Sequence, residues 1–139
     1  MKSFLKKINF TGQSGLTDLG YLIIRVGFGV LVLTHGYSKL VNFDKLSTAE
    51  FFNPLGLGIK TSLVLAIFAE FVCAISIALG FFTRLASIPV VIQFIVVFFV
   101  VHGNDAFGDR ELPATYLILA IGILLMGSGR YSIDRRLGY

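Results

Sequence analysis

Charge is scarce in this 139-residue sequence. Asp, Glu, Lys and Arg together make up 14% of it, against 55% hydrophobic residues. A water-soluble domain of this length needs far more charge to cover its surface, which argues against a soluble globule. Cysteine is nearly absent as well: Cys73 stands alone, so no intrachain disulfide can form. No Gly-rich phosphate loop follows a strand, and there is no CxxC or CxxCH. No apolar span carries the two histidines that would clamp a haem. Internal repeats and low-complexity tracts are also lacking, and the apolar content argues against disorder.

Long apolar runs are what the chain does have, and its mean hydropathy is +0.83. Crossing roughly 30 Å of hydrocarbon takes about 20 helical residues. Residues 17–40, 61–82, 84–102 and 112–128 fit that requirement. The β-branched run at 96–101 would suit a strand in water, but a lone strand in lipid leaves its backbone unsatisfied, so helix is expected. Pro89 falls in the first turns of span three, where it removes little hydrogen bonding. The tight Phe82-Thr83-Arg84 turn makes spans two and three antiparallel neighbours. Ser47-Thr48-Ala49-Glu50 in the loop 41–60 reads as a capping box, followed by Phe51 and Phe52. It predicts a short interfacial helix. The expected fold is all-α: a single-domain, integral-membrane four-helix bundle over 1–139, running up-down-up-down.

The net charge of +4 sits at the chain ends rather than in a stripe, which points to membrane orientation and away from nucleic acid. With both ends cytoplasmic, the inside holds Lys2, Lys6, Lys7, Arg84, Arg130, Arg135 and Arg136, and the outside Lys39, Lys45, Lys60 and Arg110. That distribution favours both termini inside. The first ten residues are basic but contain no apolar core, and read as an interfacial arm rather than a cleaved signal.

Ionisable groups within spans are costly, so each is a candidate site residue. Span one carries Arg25, His35 and Lys39; the latter two fall roughly 80° and 40° around the helix from Arg25, on a face that Phe28 shares. Span two carries Glu70, and span three Gln93 and, at its outer end, His102. A rise of about 1.5 Å per residue puts Glu70 and Gln93 at one depth, between His35 and Arg25. A polar seam of Arg25, Glu70 and His35 is therefore expected. The plainer alternatives are a structural Arg25–Glu70 pair, an interfacial anchor for Lys39, a solvated His102, a helix-bridging Gln93 and a core thiol for Cys73. No ligand spacing supports a metal site, and none is expected.

The order and spacing of several short motifs resemble the DoxX family. They are Arg25-Val-Gly27, His35-Gly36-Tyr-Ser-Lys39, mid-span Glu70, Leu79-Gly80-Phe-Phe-Thr83-Arg84, His102-Gly103, and Gly127-Ser-Gly129-Arg130-Tyr-Ser132-Ile133-Asp134. The group includes DoxD, the quinone-linked membrane subunit of thiosulfate:quinone oxidoreductase. The resemblance implies a four-helix protein of a bacterial cytoplasmic (inner) membrane.

Buried charge and resemblance together lead to a membrane subunit of a quinone-linked redox system, with an intramembrane polar site open to the outer face. In that reading Glu70, His35 and Arg25 carry the chemistry. Phe28, Lys39, Gln93 and His102 line the quinone site, with partner subunits or a homo-oligomer around it. The alternative is a non-catalytic anchor or assembly partner, in which the loop 43–59 docks a partner. A small transporter or proton pathway would need two accessible states.

Overall fold

The computed structural model describes residues 14–139, so the basic arm expected at the N-terminus lies outside the described residues. Among the described residues the structure is helical and contains no strand. A long helix, α1, runs over Ser14–Val41. A brief turn, α2 (Phe43–Lys45), passes into a wider π-helical turn at Leu46–Glu50. Then come α3 (Ile59–Leu79), α4 (Thr83–Val101), α5 (Phe107–Met126) and a short α6 (Ile133–Leu137). Three of these, α1, α3 and α4, are long and apolar enough to cross a membrane. The fourth expected span corresponds to α5, a 20-residue helix that begins earlier than its apolar run and takes in Asp109, Arg110 and Glu111.

The capping-box expectation is corrected. Helical structure precedes Ser47 rather than starting at it: the Ser47 hydroxyl donates back to the Asp44 carbonyl, and Thr48 to that of Lys45. Phe51 is already extended. The polar group that organises this loop is Asn53, whose Oδ1 accepts from the Gly58 amide at 3.0 Å and the Ser62 hydroxyl at 3.2 Å. It thereby serves the first turn of α3.

Many large apolar side chains point outward, and many small ones are buried between helices. Ile23, Leu31, Leu85, Ile118 and Leu125 are exposed, whereas Ala66, Ala69, Ala74, Ala86 and Ala120 are buried. A water-soluble protein cannot present that outer surface; it is one that lipid tails cover, while small residues let helix backbones approach. Gly29 and Gly36 show how far this goes. A Cβ at Gly29 would lie 2.8 Å from that of Ala78, and one at Gly36 would lie 2.4 Å from the Glu70 carbonyl carbon. These contacts run α1 antiparallel to α3. Edge-to-face rings of Phe28 and Tyr116, and the tilted pair Phe94–Tyr116, fill the middle of the core.

A polar clasp closes the end where the chain finishes. α3 stops at Gly80, whose left-handed backbone (φ +71) no side chain could join, since a Cβ there would lie 2.5 Å from Ser132 Cβ. Buried Asp134 accepts from the Phe82 amide at 2.8 Å and the Thr83 amide at 3.2 Å, so it caps α4. Its own amide donates to the Gly80 carbonyl. Ser132 caps α6 by accepting from the Arg135 amide. Two of the motifs singled out in the sequence, 79–84 and 127–134, are therefore halves of one structural joint.

Candidate functional site

At the opposite end a cavity of about 560 Å3 opens between α1, α3, α4, α5 and the loop after α2. Its polar lining includes His35, Lys39, Glu70, Gln93, His102 and Asp109; its apolar walls include Phe51, Phe52, Phe94, Val97 and Tyr116. Cavities of this size and mixed character are typical of small-molecule sites, which run from roughly 300 to 1,000 Å3.

Glu70 is the fixed point. It lies in the π-helical segment Phe68–Cys73 of α3, where the widened turn departs from regular packing. It is 3% exposed, yet both its oxygens are engaged: Oε2 accepts from Lys39 Nζ at 2.5 Å and Oε1 from Gln93 Nε2 at 3.0 Å. A carboxylate at this depth is tolerable only when so partnered. The Lys39 side chain keeps 22% exposure. With one donor on Glu70, its ammonium has two more to offer into the cavity.

Around this pair His35 sits exposed at the cavity wall, its Nε2 approaching the Tyr116 hydroxyl at 3.5 Å and its ring meeting the Tyr116 ring edge-on. His102 pairs with Asp105 at 2.7 Å just beyond α4. The site thus combines an anchored ion pair, two imidazoles, a phenol and aromatic faces. No cluster of three or more His, Cys, Asp or Glu side chains able to hold a metal occurs among the described residues.

Of the residues expected from the sequence, the structure brings Glu70, His35, Lys39, Gln93 and His102 together and leaves two out. Phe28 is buried one layer below, against Tyr116, and does not line the cavity. Arg25 does not meet Glu70. Its guanidinium donates to the carbonyl of Ser128 and, at 2.7 Å, to that of Tyr131, inside the clasp at the far end. Lys39 takes the place expected of Arg25; the two lie 14 positions apart on α1, about 21 Å along the axis. Cys73 is a buried thiol. Sequence reasoning missed Tyr116, Phe51 and Phe52 as cavity walls. The aromatic pair directly after a helical turn was the available signal.

Residues 20–103 match the DoxX family, and the chain belongs to it. It is 31% identical over 126 residues to the inner membrane protein YqjF of Escherichia coli, covering 88% of this chain and 95% of that protein. It is 28% identical to the uncharacterized membrane protein Rv3486 of Mycobacterium tuberculosis, over 84% of this chain and 80% of the other. Similarity at 26% identity extends to the putative oxidoreductase CatD of Bacillus subtilis, over 84% and 86% of the two chains. No solved structure matches.

Proposed function

We propose that this membrane protein is a four-span, up-down-up-down subunit of a bacterial inner-membrane redox system, with both ends cytoplasmic, and that its outer-side cavity binds the head of a quinone-type carrier. The observation that carries the reading is the Lys39–Glu70–Gln93 cluster at the wall of a cavity whose apolar lining includes several aromatic rings. One relative's name, putative oxidoreductase, points the same way.

A quinone, when bound, supplies the two-electron, two-proton chemistry. The chain's own residues do the rest. Lys39 offers donors to a carbonyl oxygen and is held in place by Glu70, which Gln93 fixes in turn. His35, exposed at the cavity wall, is placed to exchange protons with the outer aqueous phase. Tyr116, Phe94 and Phe51 provide ring faces for a planar head group. Electrons would enter from a partner subunit.

Titrating a short-chain benzoquinone into the protein in lipid nanodiscs, with tyrosine fluorescence as readout, tests this. Glu70→Gln and Lys39→Met should each weaken binding at least tenfold. Unchanged affinity in both variants would overturn the reading.

The anchor alternative loses the Arg25–Glu70 pair on which it partly rested. It keeps one favourable observation, the exposed apolar group Phe52, Leu55 and Leu57 in the loop before α3. Gentle purification separates the two: a stable heteromeric complex free of quinone supports the anchor, and a lone protein carrying quinone supports the carrier site.

A further inference from the structure

The clasp end carries a second concavity that the proposed carrier site does not use. A cleft of about 780 Å3 lies between the start of α4 and the 127–135 segment. Three guanidinium groups line it: Arg84, Arg130 and Arg135. None is neutralised within the cleft. Among the described residues Arg84 donates to the Leu125 carbonyl, at 3.1 Å, and Arg130 pairs with Asp18, outside the cleft lining, at 3.4 Å with 61% of its side chain exposed. Arg135 has no acidic partner among the described residues. The one acidic side chain in the lining, Asp134, is spent on the Phe82 and Thr83 amides. Below the arginines the walls turn apolar: Phe82, Leu85 and Met126 are all exposed there.

We propose that this cleft is a binding site for an anionic phospholipid. Its level in the fold is what favours a lipid over a soluble anion. Thr83 begins one apolar helix and Met126 ends another, so the cleft lies where hydrocarbon gives way to headgroups. Guanidinium groups pair with phosphate through parallel N–H donors, and unneutralised arginines at the cytoplasmic edge of spans are a recurrent signature of acidic headgroup sites. A diacyl phosphodiester meets both halves of the surface: its phosphate faces Arg130 and Arg135, and its chains descend along Leu85 and Met126. The site does not depend on what the opposite cavity binds.

Native mass spectrometry of the protein released from mild detergent tests it, with phosphatidylglycerol, phosphatidylcholine and glycerol 3-phosphate added in turn. Phosphatidylglycerol should be retained at least fivefold more than phosphatidylcholine, and glycerol 3-phosphate should not compete. The Arg130→Gln/Arg135→Gln double variant should lose that preference while unfolding at the same temperature as wild type, because both side chains are exposed. Equal retention of the two lipids, a preference that survives the double variant, or displacement by glycerol 3-phosphate would each overturn the proposal.

Discussion

Gly36 of α1 lies directly against the backbone of Glu70: a Cβ at Gly36 would stand 2.4 Å from the Glu70 carbonyl carbon and 2.6 Å from the Phe71 nitrogen. Two helices therefore touch main chain to main chain at the turn that carries the buried carboxylate. Gly36→Ala should cost about 2 kcal/mol, since backbone on both sides cannot give way. It should also weaken carrier binding by displacing Glu70. Gly27, with nothing within 4 Å of its Cβ position, provides the control. Gly27→Ala should fall within about 0.5 kcal/mol of wild type. Unfolding in mixed micelles measures both.

Lys39 and Glu70 should behave as one unit. Lys39→Met leaves a buried carboxylate with Gln93 as its remaining partner. The cost should be about 2 kcal/mol, below the roughly 3–5 kcal/mol of a fully buried pair, because Lys39 keeps 22% exposure. Adding Glu70→Gln should restore part of the loss, so the double variant should be more stable than Lys39→Met alone. A double-mutant cycle on unfolding free energies checks this, and simple additivity would contradict it.

Arg25 belongs to the clasp, and its variants should say so. Arg25→Met strips the donors from the Ser128 and Tyr131 carbonyls, at a cost of about 1–3 kcal/mol. Asp134→Ala removes the acceptor for the Phe82 and Thr83 amides and should cost about 1–2 kcal/mol. In both, the molecules that remain folded should bind benzoquinone with wild-type affinity. A loss of affinity in Arg25→Met at full folding would return that residue to the site.

Tyr116 offers a finer test. Tyr116→Phe keeps the ring against Phe28 and Phe94 but removes the hydroxyl facing His35. Stability should change by less than about 1 kcal/mol, and benzoquinone affinity should fall roughly threefold to tenfold. Paired unfolding and binding titrations separate the two effects.

Hydrophobicity made the long helices legible, because apolar runs of this length have few other stable states. The boundaries were less so. The apolar run carries span two to residue 82, but α3 ends at Leu79 because Gly80 turns left-handed. The apolar run of span four starts at residue 112, but α5 opens at Phe107 because charged residues can form a helix outside the hydrocarbon. Depth counting put Glu70 level with Gln93, and they are hydrogen-bonded. It also puts Arg25 beyond Glu70 from His35, where it lies; what fails is the expected meeting of Arg25 with Glu70. A helical wheel gives the direction a side chain leaves its own helix, not which neighbour waits there. The partners of Arg25 are main-chain carbonyls, which carry no residue-type signature. Lys39 belongs to the expected site, with an interfacial anchor as its plainer alternative because its Cα lies near the helix end; its long stem carries the ammonium inward to Glu70.

The clasp also sets an order of assembly. Arg25 is synthesised 103 residues before Ser128 and 106 before Tyr131, the carbonyls that receive it. During biogenesis the first segment must therefore enter the bilayer with its cation unsatisfied, shielded by water or by the insertion machinery. It is released from that arrangement only when α5 has been laid down and the segment after it, which carries Ser128 and Tyr131, folds back.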